Sequence, residues 1–241
     1  AHASPKAYQE EEFLDELQKE VQLFGAYPEI YLASSEGEKI DRLRNIIETY
    51  VLKDILNLYD LRNYKLAYDI LTKIALQIGQ EVSLRELANS LGANVVTVSN
   101  YIEIFVRNYI LIALPSFKTN LRRAVSQYRK YYFLDLGLRN GLVKDFRSLE
   151  LRPDHGSVFE NFTVSEWFKH IRNHALHYSM YFYREYGGKA VDLVMEDYKK
   201  KYMCLEVKAN PGAKVQRVFP LKHTLKQINR KNYFENLHLP L

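Results

Sequence analysis

The chain has 241 residues, a formal net charge of +5, 47% hydrophobic residues and 26% charged residues, ordinary globular values that exclude wholesale disorder and the fibrous classes. Ten glycines and seven prolines fall below the usual ~12% for the pair, which points to long helices rather than an all-β sandwich. A single cysteine excludes a disulfide framework and a cysteine-built zinc site and fits a reducing, cytoplasmic setting; with no apolar run of about 18 residues and six carboxylates in the first 20 residues, neither a membrane span nor a signal peptide is expected.

Glu10–Gln22 reads as a helix, with Phe13, Leu14, Leu17 and Val21 at helical spacing, and Gly25-Ala26-Tyr27-Pro28-Glu29 breaks it. Glu38–Tyr59 is predicted as one long amphipathic helix on the stripe Ile40, Leu43, Ile47, Tyr50, Val51, Ile55 and Leu58. Together these define a helical N-terminal region over residues 1–64. Leu66–Ile78 is a further helix. Ser83-Leu84-Arg85-Glu86 is a capping box that opens a short helix over Leu84–Ser90. Leu91-Gly92-Ala93 is a turn, and Asn94 caps a third helix that runs to Asn108 with Val95, Val98, Ile102 and Phe105 inward. Two helices across a short glycine turn, behind an apolar helix, make a helix-turn-helix. Tyr109–Ser116 and Tyr128–Leu134 are strand-like, with the polar, basic Phe117–Gln127 between them. Residues 65–135 therefore read as a winged helix-turn-helix.

Charge is segregated along the chain. Arg107–Lys130 contains six Lys or Arg and no acid, and Lys199–Lys231 contains ten against Glu206 alone. A polyanion, most simply nucleic acid, is the partner such stretches suggest. The predicted outward face of the third helix offers Val96, Thr97, Ser99, Asn100, Glu103 and Arg107, of which Asn100 alone is a good base reader. The wing offers Lys118, Arg122 and Arg123, so contact with the phosphate backbone is expected more than sequence readout. The alternative is a winged helix that docks protein or acts as a spacer.

Residues 136–153 read as a connection, with Leu136–Leu142 short and turn-rich, and the next domain spans 154–241. It opens with a helix over Ser157–Arg172. Three strands follow, Met180–Tyr186, Ala190–Met195 and Tyr202–Lys208, in an antiparallel meander. Val215–Asn229 is predicted helical and Tyr233–Leu239 a last strand. The fold class is α+β: a helical region and winged helix, then a small α/β domain.

Two of these apolar strands each carry an acid. Asp192 stands between Val191 and Leu193; Glu206 stands between Leu205 and Val207, with Lys208 two residues on and on the same face. The hairpin brings both acids to one end of neighbouring strands, an arrangement of carboxylate oxygens that Mg²⁺ or Mn²⁺ accepts. A lysine beside them orients the attacking water and stabilises charge on a phosphate. Asp, then Glu-x-Lys on the next strand, is the pattern of a PD-(D/E)XK nuclease site, with Asp192, Glu206 and Lys208 catalytic and Glu160 on the preceding helix a third metal carboxylate. The plainer alternative is a salt bridge between Glu206 and Lys208. His170, His174 and His177 are read as exposed histidines, and Cys204 as a buried small hydrophobe.

The order of local motifs resembles the C-terminal part of a large bacterial and archaeal family of AAA-type ATPases. The resemblance runs through Gly25–Glu29, Tyr50–Asp54, Ser83–Phe105, Lys130–Asn140, Gly156–Glu166, Gly187–Val194 and Leu205–Lys208. In that family a winged helix precedes the domain of unknown function 4143, which is similar to PD-(D/E)XK nucleases. The resemblance places Glu160, Asp192, Glu206 and Lys208 at the nuclease-like positions; Lys189-Ala190 departs from it, since the family often has an acid beside the Val-Asp pair. No G-x-x-x-x-G-K-[ST] occurs in the sequence, so no nucleotide site is expected and the ATPase module belongs to a partner in cis or in trans. The expected function is nucleic-acid binding with a metal-dependent, nuclease-like domain. The alternative is a non-catalytic nucleic-acid or protein interaction module that works with an ATPase.

Overall fold

The computed structural model describes residues 5–118, 128–185, 188–209, 212 and 217–236, with side chains from residue 12 onward. The first half is helical: α1 (Pro5–Phe24), α2 (Pro28–Tyr31) and α3 (Glu36–Asn45). α3 runs without a break through a π-wound stretch, Ile46–Asp54, into α4 (Ile55–Leu58). The single long helix expected here is present, but its inner face differs. A π-helix bonds i to i+5, so the buried residues step by five: Ile46, Val51 and Leu56 beside Ile47 and Leu52. Tyr50 and Leu58, expected inside, are exposed.

The next elements are α5 (Tyr64–Leu76), β1 (Glu81–Ser83), α6 (Leu84–Ser90), α7 (Val95–Arg107), β2 (Leu111–Pro115) and β3 (Tyr128–Phe133). The strands form one antiparallel sheet in the order β1-β3-β2, which is the winged-helix arrangement. Ser83 caps α6 through Glu86 N–H and Asn94 caps α7 through Val96 N–H, as the sequence predicts. α7 buries Val98, Tyr101, Ile102 and Phe105; Val95, expected inward, is exposed in its first turn.

Leu136–Leu142 is not a turn-rich connection. It is a buried helix, α8 (Leu136–Val143), started by Asp135, whose carboxylate accepts the Leu138 N–H at 3.2 Å. Gly137 in it reads as a turn signal but serves packing. A Cβ on Gly137 would stand 2.1 Å from the Phe24 carbonyl oxygen, so only glycine lets α8 approach the end of α1. α8 then closes helix ends. Asn140 Nδ2 donates to the carbonyls of Gln22 (2.9 Å) and Leu23 (2.8 Å), and Arg139 Nε donates to that of Ala75 (3.0 Å). Arg152, fully buried, donates to Asn140 Oδ1 and pairs with Asp154. The bonds from Asn140 and Arg139 satisfy carbonyls that a helix leaves orphaned at its last turn.

The second half contains α9 (His155–Asn173), β4 (Tyr178–Arg184), β5 (Ala190–Asp197), β6 (Tyr202–Val207), β7 (His223–Ile228) and α10 (Tyr233–Asn236). The sheet order is β4-β5-β6-β7, with the first three antiparallel and β7 parallel to β6. Two expectations fail here. Of the helix predicted over Val215–Asn229, residues 215–216 lie outside the described residues, 217–222 are irregular and His223–Ile228 is β7; Pro220 removes a donor and disfavours helical backbone at the residue before it. Of the strand predicted over Tyr233–Leu239, Tyr233–Asn236 is a helical turn, because Asn229 Oδ1 accepts the N–H of Lys231 and Asn232 and turns the chain, and 237–239 lie outside the described residues. One hydrophobic core runs from Phe24 to Tyr233 through both halves, with Trp167 of α9 fully buried. The two sheets also touch directly: Phe117 donates its N–H to the Phe182 carbonyl at 2.7 Å.

Candidate active site

β4 and β5 fall out of step in mid-ladder. Tyr181 pairs with Val194 and Tyr183 with Val191, so Asp192 and Leu193 stand together against Phe182. This two-against-one arrangement is a β-bulge, which re-aims side chains from the regular alternation. The β5–β6 ladder ends at Leu193 and Leu205. Beyond it, Val207 donates its N–H to Asp192 Oδ2 at 2.8 Å. The bulge thus sets the Asp192 carboxylate in the gap between the strands.

Lys208 follows β6, and its N–H donates to the Ile228 carbonyl of β7 at 2.9 Å. Its ammonium lies 3.8 Å from Asp192 Oδ2 and 3.4 Å from Glu206 Oε2. The three residues predicted as catalytic are therefore brought together. Glu206 is buried and Lys208 reaches in from the solvent side. Burial, reinforced by the Asp192 charge and only partly offset by Lys208, pushes the Glu206 carboxyl up to about 7. Burial alone would lower the Lys208 ammonium, but Asp192 and Glu206 outweigh it and hold it above its ordinary value.

Glu160 comes from α9 and is held by the winged helix. Its Oε1 accepts from Lys130 Nζ at 3.0 Å and from the Tyr132 hydroxyl at 2.6 Å, both on β3. Burial raises its carboxyl, with the Asp192 charge adding to the effect against the pull of Lys130 and Tyr132. Gly79, at φ +76°, closes over it: a Cβ there would lie 3.3 Å from Glu160 Oε2. Lys130 and Tyr132 were not foreseen as site residues. The available signal was a lysine two residues before a tyrosine on one face of an otherwise aromatic strand.

Among the described residues no three His, Cys, Asp or Glu side chains converge closely enough to hold a metal ion. Asp192 and Glu206 stand together as two carboxylates that share one lysine, Lys208, while Glu160 is paired with Lys130. That suits Mg²⁺, which commonly takes one or two carboxylates and fills its other positions with water and phosphate. In the winged helix, Asn100 is exposed on α7 and Lys118 is exposed after β2, while Arg122 and Arg123 lie outside the described residues. Glu103 and Arg107 pair with each other on α7. His174 and His177 are exposed, His170 is half-buried, and Cys204 is buried, with burial pushing its thiol up to about 12. No helix among the described residues is long and apolar enough to cross a membrane.

Fold and site together define an α+β protein in which a winged helix is joined to a four-stranded sheet bearing a carboxylate–lysine cluster. The chain belongs to the family described as Domain of unknown function (DUF8612), whose profile matches residues 15–149. Residues 155–234 match a second, Domain of unknown function (DUF4143). Similar proteins include the uncharacterized protein MJ1544 of Methanocaldococcus jannaschii, 27% identical over 149 residues, 59% of this chain and 32% of that protein. An uncharacterized protein of Haemophilus influenzae is 22% identical over 135 residues, 54% of this chain and 34% of that one. The matched stretch spans about a third of the length of these relatives. No solved structure matches the chain.

Proposed function

We propose that this protein binds nucleic acid and that its C-terminal sheet carries a metal-dependent phosphodiester hydrolase site of the PD-(D/E)XK nuclease type. The observation that carries this reading is the meeting of Asp192, Glu206 and Lys208 at a β-bulge between two strand ends. Asp192 and Glu206 are the residues to hold Mg²⁺ or Mn²⁺, which when bound polarises the phosphate and acidifies a water. Lys208 stays protonated and faces charge that develops on a phosphate oxygen. Glu206, raised to about 7 by burial and the Asp192 charge, gives up its proton when it takes up the metal, so metal binding releases a proton at neutral pH. Lys130 and Tyr132 position Glu160 beside this pair. Nucleic acid is gripped through phosphates by Lys118, Arg122 and Arg123, with Asn100 the one base-reading side chain on α7. The family resemblance adds an ATPase module, in cis or in trans, as partner, and the lone buried thiol fits a cytoplasmic setting.

A second reading has one observation in its favour: Val96, 66% exposed, and Val95 stand in the first turn of α7, where a base-reading helix carries polar groups. On that reading the chain is a non-catalytic interaction module and the carboxylate cluster is a structural ion network. The experiment is incubation with single- and double-stranded DNA and RNA in Mg²⁺ or Mn²⁺, beside Asp192→Asn/Glu206→Gln. Cleavage that disappears in the variant and in chelator is expected. No cleavage with any substrate and either metal selects the second reading.

A further inference from the structure

The far end of the C-terminal sheet has its own concave surface. Between β5 and β6 the chain turns through Tyr198–Lys201, at the opposite end of the strands from Asp192 and Glu206, roughly 15–20 Å away at ~3.3 Å per residue. Two cavities flank this hairpin. One, of about 920 Å³, lies between β2, the end of α9 and β4. The other, of about 500 Å³, lies between the end of α9, the hairpin and β7. Both are lined by His177, Tyr178, Asp197 and Tyr198, and the second, the groove beside the hairpin, also gathers Lys199, Lys201 and Lys226.

The hairpin's two acids are engaged within it. Asp197 Oδ1 accepts the N–H groups of Lys199 and Lys201, both at 2.8 Å, and the buried Glu196 pairs with Lys200. Among the described residues, Lys199, Lys201 and Lys226 pair with no carboxylate. Tyr198 lines the same cavity and stands 72% exposed, with the Lys199 ammonium 5.2 Å from its ring centroid.

We propose that this groove binds a segment of single-stranded nucleic acid, with a base stacked on Tyr198 and the flanking phosphates on Lys199, Lys201 and Lys226. Aromatic platforms alternating with cations are how unpaired strands are held without sequence readout. A duplex keeps its bases stacked inside and offers the ring nothing. An acidic peptide would use the lysines and leave Tyr198 idle. The assignment shares the nucleic-acid premise of the proposed function but uses none of its residues.

The test is fluorescence anisotropy of a labelled oligothymidylate with the full chain, in EDTA so that binding is read without cleavage. Tyr198→Ala is expected to weaken binding about tenfold, within the range for loss of one base–aromatic stack. Tyr198→Phe is expected to bind as the wild type. Lys199→Glu/Lys201→Glu, both exposed, should weaken binding further and flatten its salt dependence. Lys53→Glu/Arg62→Glu, two exposed charges in the helical half, makes the same change in net charge and serves as its control. Unchanged binding by Tyr198→Ala and by the lysine variant overturns the proposal. So does a loss that is equal for polyphosphate and oligothymidylate and insensitive to Tyr198, which would mark a general polyanion surface. A wild type that binds no oligonucleotide at low salt overturns it as well, and the cleavage assay then stands or falls separately.

Discussion

Asp192 Oδ2 accepts the N–H of Val207 at 2.8 Å, so a side-chain carboxylate closes two strands whose own ladder has stopped at Leu193 and Leu205. The same oxygen is 3.8 Å from the Lys208 ammonium. One group therefore does structural and electrostatic work, and two substitutions separate them. Asn keeps an acceptor for Val207 and removes the charge. Ala removes both and strands a part-buried donor, at a cost of about 1–3 kcal/mol. Asp192→Asn is expected to unfold in urea close to the wild type, and Asp192→Ala at a clearly lower midpoint. Both should lose any rise in melting temperature on adding Mg²⁺. A Mg²⁺-induced rise that survives in Asp192→Asn would remove Asp192 from the metal reading.

Glu206 predicts a pH dependence of defined sign. In the unfolded chain it ionises at its ordinary 4.5, and in the folded protein near 7. Below that window both states hold the proton, and above it neither does. Between the two values the native state keeps a proton that the unfolded state has lost, so stability falls as pH rises from 4.5 to 7. The difference across the window is on the order of 3 kcal/mol. Glu206→Gln has no such titration. Its urea midpoint relative to the wild type should rise between pH 4.5 and 7 and stay level above. Divalent metal requires the ionised carboxylate, so Mg²⁺ affinity should climb over the same range. Parallel pH profiles for wild type and Glu206→Gln would show that the carboxyl is not raised.

The parts of this fold that were legible in the sequence are those written in local pattern. Ser83 and Asn94 announced the starts of α6 and α7, and the alternating Val191–Leu193 and Leu205–Val207 segments announced β5 and β6 with the acids between. What was missed depends on neighbours distant in the chain. Gly137 looks like a turn until the Phe24 carbonyl is placed against it. The inner face of Ile46–Asp54 cannot be read at a period of 3.6 because the backbone there is π-wound. The bulge at Asp192 is a relation between β4 and β5, with no residue of its own to signal it. Lys130 belongs to the site only because β3 lies beside α9.

Gly137 gives a sharp stability prediction. A Cβ there would be 2.1 Å from the Phe24 carbonyl oxygen and 2.6 Å from its carbon. Both are backbone atoms and cannot swing aside. Gly137→Ala must part α8 from α1 and with it the bonds from Asn140 to Gln22 and Leu23. A loss of about 3 kcal/mol or more is expected, in the range of overpacked cores combined with unmet polar groups. Gly92→Ala is the comparison. Its φ is +60° but nothing lies within 4 Å, so only the left-handed backbone opposes a side chain, at about 1 kcal/mol. Equal melting temperatures for the two variants would contradict the packing seen around α8.

The Lys130–Glu160 pair ties the winged helix to the catalytic candidate, and its energetics separate a working pair from a coincidence. Lys130 is buried, 3.0 Å from Glu160 Oε1 and 5.7 Å from the Phe182 ring centroid. Removing one partner of a buried pair leaves an uncompensated charge, which costs about 3–5 kcal/mol. Lys130→Met leaves Glu160 with Tyr132 alone, and burial then drives its carboxyl further up, so part of the loss should return as pH falls and Glu160 takes a proton. Glu160→Gln leaves the Lys130 ammonium buried beside an amide. In Lys130→Met/Glu160→Gln neither charge remains, and the double variant should be more stable than the sum of the single losses, with a coupling of at least about 1 kcal/mol by urea unfolding. Strict additivity would mean that each side chain acts alone. Coupling would mean that β3 and α9 are held together through this pair.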